Sequence, residues 1–178
     1  MKEILILRHT EKDASGNITD EGRVVASAFG AQLGDFNMVI SSPKSRAIET
    51  ALLLVGKEPI VDSRAGAIGL TSEETKRTHE EGKVHQFGIA GVLFASDEYR
   101  PKIIKKGRDL VELIKETLNG LPDPGRALII SHDGVMVAAN MILLNAKLLK
   151  AKKTFEPLQG FRVFENLLVE DLKWVLTP

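Results

Sequence analysis

Residues Met38–Val55 read MVISSPKSRAIETALLLV. Met38-Val39-Ile40 is a short β-branched apolar run ended by Ser41-Ser42-Pro43, and so reads as a strand running into a turn. Ser42 as the cap and Pro43 at the first helical position then predict a helix, with Ile48, Leu52 and Val55 on its inward face. A strand followed at once by a helix is the repeating unit of an α/β fold, and the flanking sequence supplies more of them. Upstream, Glu3–Leu7 reads as a buried first strand. A polar loop, Thr10–Asn17, follows it. Thr19 then opens a helix as N-cap, with Asp20 and Glu21 in its first turn, Val25, Phe29 and Leu33 spaced by four, and Gly34 as its stop.

Downstream, Pro59–Asp62 suggests a third strand. Residues 64–98 show weak periodicity, several glycines and a polar block from Thr71 to Lys83, which predicts an irregular excursion with short helices that covers the substrate. A long helix is expected at about Arg100–Leu118, with Ile103, Leu110, Ile114 and Leu118 inward. Ala127–Ser131 (ALIIS) is a buried strand, and helix resumes from Val135 to about Leu149. Phe161–Val169 and Leu172–Leu176 are read as two final strands. Neither an internal repeat nor a linker interrupts the pattern. The expectation is a single domain, 1–178, of α/β class: a three-layer α/β/α sandwich with a mostly parallel central sheet.

Composition narrows the function classes. The 178 residues carry 24 Lys and Arg against 24 Asp and Glu, a balance without the basic excess of a nucleic-acid binder. The locally basic runs Lys102–Lys106 and Lys147–Lys153 read as solvated helix faces and ends. There is no cysteine, which excludes a disulfide framework, a thiolate metal site and a cysteine nucleophile. The apolar runs Ile4–Leu7 and Val135–Leu144 are too short for a signal-peptide core or a membrane span, so a cytoplasmic protein is expected.

Three polar groups fall at the carboxyl ends of three expected strands: Arg8-His9, Ser41–Arg46 and His132-Asp133. Ligands of open α/β sheets bind at those ends, so segments far apart in sequence can meet there. Two histidines and two arginines in one pocket make an anion site with a nucleophile in it. A neutral imidazole is nucleophilic near pH 7. The charge on a transferred phosphoryl group is stabilised by positioned cations, for which the rigid arginine fork is suited. Arg8 and Arg46 would repel a metal cation, which argues against a metallohydrolase built on His9 and His132. Taken singly, Arg46 could project into solvent and His132 could be a core histidine.

LILRHTEK, ITDEGRVVA, VISSPKSRAIETA and LIISHDGV, in that order between residues 4 and 135, resemble the histidine phosphatase superfamily, the group that contains the phosphoglycerate mutases. The resemblance implies that His9 is the phosphorylated nucleophile, that Arg8, Arg46 and His132 complete the phosphate pocket, and that no metal or other cofactor takes part. The family usually has glycine where Thr10 stands. Its mutase-like pattern places Ser and Asn on the phosphate where this chain has Lys12 and Ser15, so Thr10, Lys12 and Ser15 are candidate substrate-binding residues. The shorter chain favours hydrolysis over mutase activity. For the general acid, the mutase-like branch implies a Glu nearest Glu73 and Glu74, and the acid phosphatase branch implies Asp133. The compact layout and the SSP motif favour the Glu pair. Both sites have plain structural alternatives: an acidic helix start for the pair and an N-cap for Asp133. Phosphohistidine phosphatases of this superfamily need no acid, since their leaving group is good. The expected function is hydrolysis of a phosphorylated small molecule or phosphoprotein through phospho-His9. A catalytically weak phosphate- or nucleotide-binding regulator is the alternative. Neither nucleic acid nor membrane is an expected partner.

Overall fold

In the computed structural model, residues 1–145 and 154–172 are described. Strand β1, Lys2–Arg8, lies at the centre, and Ile4, Leu5, Ile6 and Leu7 are all fully buried. A strand covered on both faces has no polar side to alternate with, which is why this one reads as a continuous apolar run. Alternate residues still face different layers. Ile4 and Ile6 join one apolar cluster, while Leu5 and Leu7 join another on the opposite face of the sheet.

The sheet is completed by β2 (Met38–Ser41), β3 (Ile60–Val61), β4 (Gly125–Ser131), β5 (Gly160–Phe164) and β6 (Val169–Asp171), in the order β3-β2-β4-β1-β5-β6. The first four strands are parallel; at one edge β5 pairs antiparallel with β1, and β6 pairs antiparallel with β5. Helices α1 (Asp20–Leu33) and α2 (Ser45–Val55) cover the face of Leu5, Leu7, Leu128 and Ile130. Helices α4 (Gly88–Ala95), α5 (Tyr99–Gly120) and α6 (Asp133–Leu143) cover the face of Ile4, Ile6 and Ile129. The result is the three-layer α/β/α arrangement. No helix among the described residues is long and apolar enough to cross a membrane.

Several elements depart from the sequence expectation. Helix α2 starts at Ser45 with Lys44 as its N-cap, not at Pro43; the Ser42 hydroxyl accepts from the Lys44 amide at 3.3 Å and also meets His132 Nε2 at 2.7 Å. The inward face of α2 is Ala47, Thr50, Ala51 and Leu54, leaving Ile48, Leu52 and Val55 half-buried. Small residues face inward where α1 crosses closely: a Cβ built on Gly30 would lie 2.3 Å from the Leu54 carbonyl oxygen. On α1, Ala26 takes the inward place expected of Val25, which is 42% exposed.

The 64–98 excursion is more regular than expected. It begins with a 3-10 turn at Ser63–Ala65, followed by α3 (Ser72–Val84) and then α4. Only Thr78 and Gly82 of α3 are buried, so its sequence carries no apolar stripe from which a period could be read. The run Phe161–Val169 is a hairpin, not one strand: β5 ends at Phe164 and β6 begins at Val169, with Leu167 at φ +60 in the turn. The strand expected at Leu172–Leu176 lies, apart from Leu172, outside the described residues, as does the end of the helix expected to reach Leu149.

Candidate active site

Strand register assembles the site. Parallel pairing sets Arg8 opposite Ser131, so His9 and His132, the next residue of each strand, leave the sheet side by side. The His9 amide donates to the Ser131 carbonyl at 3.2 Å, and the two imidazole centroids are 5.2 Å apart with their planes at 62°. On the other side of β4, Ser41 pairs with Ile130, which places Ser42 beside His132. Arg46 then enters from the first turn of α2, at the positive end of that helix.

Hydrogen bonds fix the ring states. His9 Nδ1 lies 2.7 Å from the Thr10 carbonyl oxygen, which can only accept, so Nδ1 carries the hydrogen and Nε2 holds the lone pair. Arg46 Nε donates to that Nε2 at 3.0 Å. Arg46 Nη2 stands 3.4 Å from His132 Nδ1; a guanidinium has no acceptor, so His132 is protonated at Nε2 and donates to Ser42 Oγ at 2.7 Å. One guanidinium thus bridges both histidines. Burial, opposed by the Thr10 carbonyl and reinforced by the charges of Arg46, Arg8 and Lys12, pushes the His9 pKa down to about 3. His132 is held well below its ordinary value by burial first and then by His9, Arg46, Lys44 and Arg8. Both rings are therefore neutral at physiological pH. His9 is a neutral imidazole whose Nε2 lone pair faces the Arg46 guanidinium, with Arg8 and Lys12 also in its field.

Arg8 donates through Nη1 to the Phe155 carbonyl, while its Nε is buried without a partner among the described residues. Lys12 lies in a small flap held by the antiparallel bridge Lys12–Ile18 and by the Asp13 amide donating to the Asn17 carbonyl at 2.8 Å. The flap reaches over the pocket: a Cβ on Gly16 would be 3.9 Å from Arg46 Nη1. Burial and the neighbouring Arg46 and Arg8 lower the Lys12 pKa, which marks this cation as part of the pocket's field.

A family model described as the histidine phosphatase superfamily (branch 1) matches residues 4–159. The chain belongs to the histidine phosphatase superfamily. Solved structures with a similar fold include a mycobacterial glucosyl-3-phosphoglycerate phosphatase, 17% identical with a TM-score of 0.69, over 92% of this chain and 93% of that one. A phosphoglycerate mutase from Bacillus anthracis is 15% identical with a TM-score of 0.70, over 96% and 91%. A phosphoserine phosphatase from Entamoeba histolytica, solved with 3-phosphoglyceric acid, is 20% identical with a TM-score of 0.64, over 92% and 91%. No protein of curated function matches the chain in sequence.

In this member of the superfamily, the other expected site residues fall into different settings. Thr10 is buried, with its hydroxyl donating to the Gly22 carbonyl at 3.0 Å and its amide to Thr50 Oγ1 at 3.1 Å, so it anchors the loop to α1 and α2. Ser15 is exposed at the flap tip. Glu74 closes a capping box at the start of α3: its carboxylate accepts from the Thr71 amide at 2.7 Å and from the Tyr99 hydroxyl at 3.1 Å. The Thr71 amide holds its pKa below the usual carboxylate value. Glu73 is exposed on the same turn, and no hydrogen bond or ion pair among the described residues joins either glutamate to the histidine–arginine cluster. Asp133 is the first helical residue of α6 rather than its cap, and its carboxylate accepts from the Phe155 amide at 2.6 Å and the Thr154 hydroxyl at 2.8 Å. Its pKa is raised by burial against those donors and Arg8.

Sequence reasoning assigned no role to Thr50, Thr154 or Phe155, and gave Ser42 only that of a helix cap. Ser42 carried a signal, as a hydroxyl at the carboxyl end of a parallel strand. Phe155 carried none, since it acts through its peptide group.

Proposed function

We propose that this chain is a phosphatase whose His9 Nε2 accepts the phosphoryl group of a phosphorylated small molecule or phosphoprotein. The observation that carries the reading is the state of His9: a buried neutral imidazole, its Nδ1–H held by the Thr10 carbonyl and its Nε2 lone pair turned toward Arg46. Substrate oxygens would draw the Arg46 N–H groups away from that lone pair, freeing it at the moment a phosphorus atom is in place. Nε2 then attacks phosphorus, the bond from phosphorus to the leaving atom breaks, and Arg8 and Arg46 hold the equatorial oxygens, with the neutral His132 orienting the Arg46 guanidinium through its Nδ1 lone pair. Water next attacks the phosphohistidine, the N–P bond breaks, and phosphate leaves. The cation-rich surroundings of both rings support each step, because negative charge spreads over the transferred group in both transition states. Lys12 in the flap would add a contact to the substrate.

The leaving group is the point on which the carboxylates bear. Glu74 is kept ionised by its capping hydrogen bonds, and the Asp133 carboxylate, although burial raises its pKa, is turned to the Phe155 amide and the Thr154 hydroxyl, so no hydrogen bond among the described residues joins either carboxylate to His9. A leaving group that departs with little protonation, such as a phosphohistidine or an aryl phosphate, therefore suits the site better than an alkoxide.

The test is p-nitrophenyl phosphate hydrolysis with chelator present, on wild type and His9→Ala, together with a rapid acid-free quench of 32P-labelled substrate. Turnover and a base-stable, acid-labile label in wild type, both absent from His9→Ala, is the expected result. Phosphate binding with no label and no turnover toward aryl phosphate or phosphohistidine would overturn it in favour of a phosphate-binding regulator.

A further inference from the structure

Arg8 has a well-defined backbone and a side chain that must be aimed. Its amide donates to the Gln159 carbonyl at 2.9 Å and its carbonyl accepts from the Leu158 amide at 3.2 Å, so the main chain is pinned between β1 and the segment entering β5. The guanidinium is a rigid plane, and fixing one corner sets the direction of the others. Among the described residues that corner is fixed by one acceptor, the Phe155 carbonyl. The Phe155 backbone is fixed in turn on the other side of its Cα, where its amide donates to Asp133 Oδ1 at 2.6 Å. Thr154 steadies the same carboxylate through its hydroxyl, 2.8 Å from Oδ2. Asp133 stands one residue beyond His132, at the rigid start of α6. The helix turn that presents His132 thus also holds the residue whose carbonyl aims Arg8, although Arg8 and Asp133 are far apart in sequence.

We propose that Asp133 is a positioning residue, which acts through the Phe155 backbone to aim the Arg8 guanidinium at the phosphoryl group. The proposal rests on the phosphatase reading for its kinetic consequences, and on the hydrogen-bond chain alone for its effect on anion binding. It makes the carboxylate work as an ionised double acceptor. Once Nη1 is committed to Phe155, the other guanidinium N–H groups are left for phosphoryl oxygens, and one of them, the buried Nε, has no partner among the described residues. An acid at this position would behave differently in every respect that kinetics can read. A proton donor matters more as the leaving group becomes more basic, whereas a mis-aimed arginine weakens every substrate alike.

The experiment measures kcat/KM for p-nitrophenyl phosphate and for β-glycerophosphate, with inorganic phosphate binding followed by isothermal titration calorimetry, which needs no turnover. The intact chain is compared with Asp133→Asn, Asp133→Ala and Thr154→Val. Asp133→Ala is expected to lower kcat/KM on the order of 100-fold for both esters alike, the scale of a misplaced catalytic contact. Phosphate affinity should weaken alongside. Asp133→Asn keeps an acceptor for the Phe155 amide and should stay within about 5-fold, the equivalent of a neutral hydrogen bond. In an Arg8→Ala background, Asp133→Ala should weaken phosphate no further, since the two act as a unit. A loss in Asp133→Asn confined to β-glycerophosphate would overturn the proposal and make the residue an acid. Unchanged phosphate affinity in Asp133→Ala would also overturn it. If Asp133→Ala does not fold, unchanged phosphate affinity in Thr154→Val does the same. Failure of the phosphatase reading would appear separately, as phosphate binding in wild type with no turnover of any ester.

Discussion

Protonating His9 should cost the folded protein stability, in an amount the structure sets. Its imidazole is 3% exposed, and burial together with Arg46, Arg8 and Lys12 brings its pKa from 6.5 to about 3. Between those values the unfolded chain binds the proton and the folded chain does not. Stability therefore rises with pH across that window and is lost as pH falls through it. Above 6.5 neither state is protonated and the effect is absent; below about 3 it has reached its full size. At pH 4 roughly 2.5 pH units of the gap have been crossed, which at about 1.36 kcal/mol per unit is a loss of about 3 kcal/mol relative to pH 7. The control is His9→Asn, whose side-chain N–H can still meet the Thr10 carbonyl but does not titrate. Urea unfolding of both proteins at pH 7, 5 and 4 isolates His9, because His132 and the carboxylates titrate in both. The wild-type curve should fall more steeply, with the two proteins differing by about 3 kcal/mol more at pH 7 than at pH 4. Parallel curves would refute the reasoning, and with it the case that the nucleophile is held neutral by its cationic surroundings.

Arg46→Ala should lower kcat/KM for p-nitrophenyl phosphate by about 1,000-fold, and Arg46→Lys should not restore it, because only the planar fork reaches both histidines and a phosphoryl oxygen; near-wild-type rates in the lysine variant would count against the bridging role. Ser42→Ala leaves the buried His132 Nε2–H unpaired, so kcat should fall about 10-fold, roughly 1.4 kcal/mol, with 15N spectra showing a mixed His132 tautomer; one unchanged tautomer would contradict this. Glu74→Ala removes the capping box of α3 and should lower the melting temperature while leaving the ratio of alkyl to aryl ester rates unchanged; a selective loss on alkyl esters would reinstate it as the acid. Gly30→Ala places a methyl group against the Leu54 carbonyl and should destabilise by about 1–3 kcal/mol in urea without altering the rate per folded molecule.

The fold was legible where burial leaves a mark on every residue. β1 and β4 are covered on both faces, and their unbroken apolar runs cannot be mistaken for solvent-facing strands. Helix α5 buries Ile103, Leu110, Ile114 and Leu118 as their spacing requires. Legibility failed where contact size, not polarity, decides. On α2 the larger side chains Ile48 and Leu52 stay half-buried while Ala47, Thr50, Ala51 and Leu54 face inward, and α1 crosses so closely that only Gly30 fits against the Leu54 backbone. A period count cannot see a crossing distance. Helix α3 escaped for the opposite reason, having almost no buried face to count.

The site divides along a similar line. Arg8, His9, Arg46 and His132 could be picked out together because the strand-end rule applies to residues one or a few positions past a strand, a distance that sequence records. What each polar side chain does there depends on partners chosen by register, which sequence does not record. Ser42 next to Pro43 looks like a helix cap; the pairing of Ser41 with Ile130 instead delivers its hydroxyl to His132, ninety residues on. Thr71-Ser72-Glu73-Glu74 reads equally as an acid supply or a capping box, and the Thr71 amide, 2.7 Å from the Glu74 carboxylate, decides for the latter. Asp133 is the hardest case. Its sequence neighbour is His132, which suggests chemistry, but its carboxylate faces the Phe155 amide and the Thr154 hydroxyl. Hydrogen bonds donated to a carboxylate favour its ionised form, and at Asp133 they oppose the burial that raises its pKa. The residue beside the second histidine therefore acts most naturally as a fixed anion, and the leaving-group dependence of its variants is where the two roles separate.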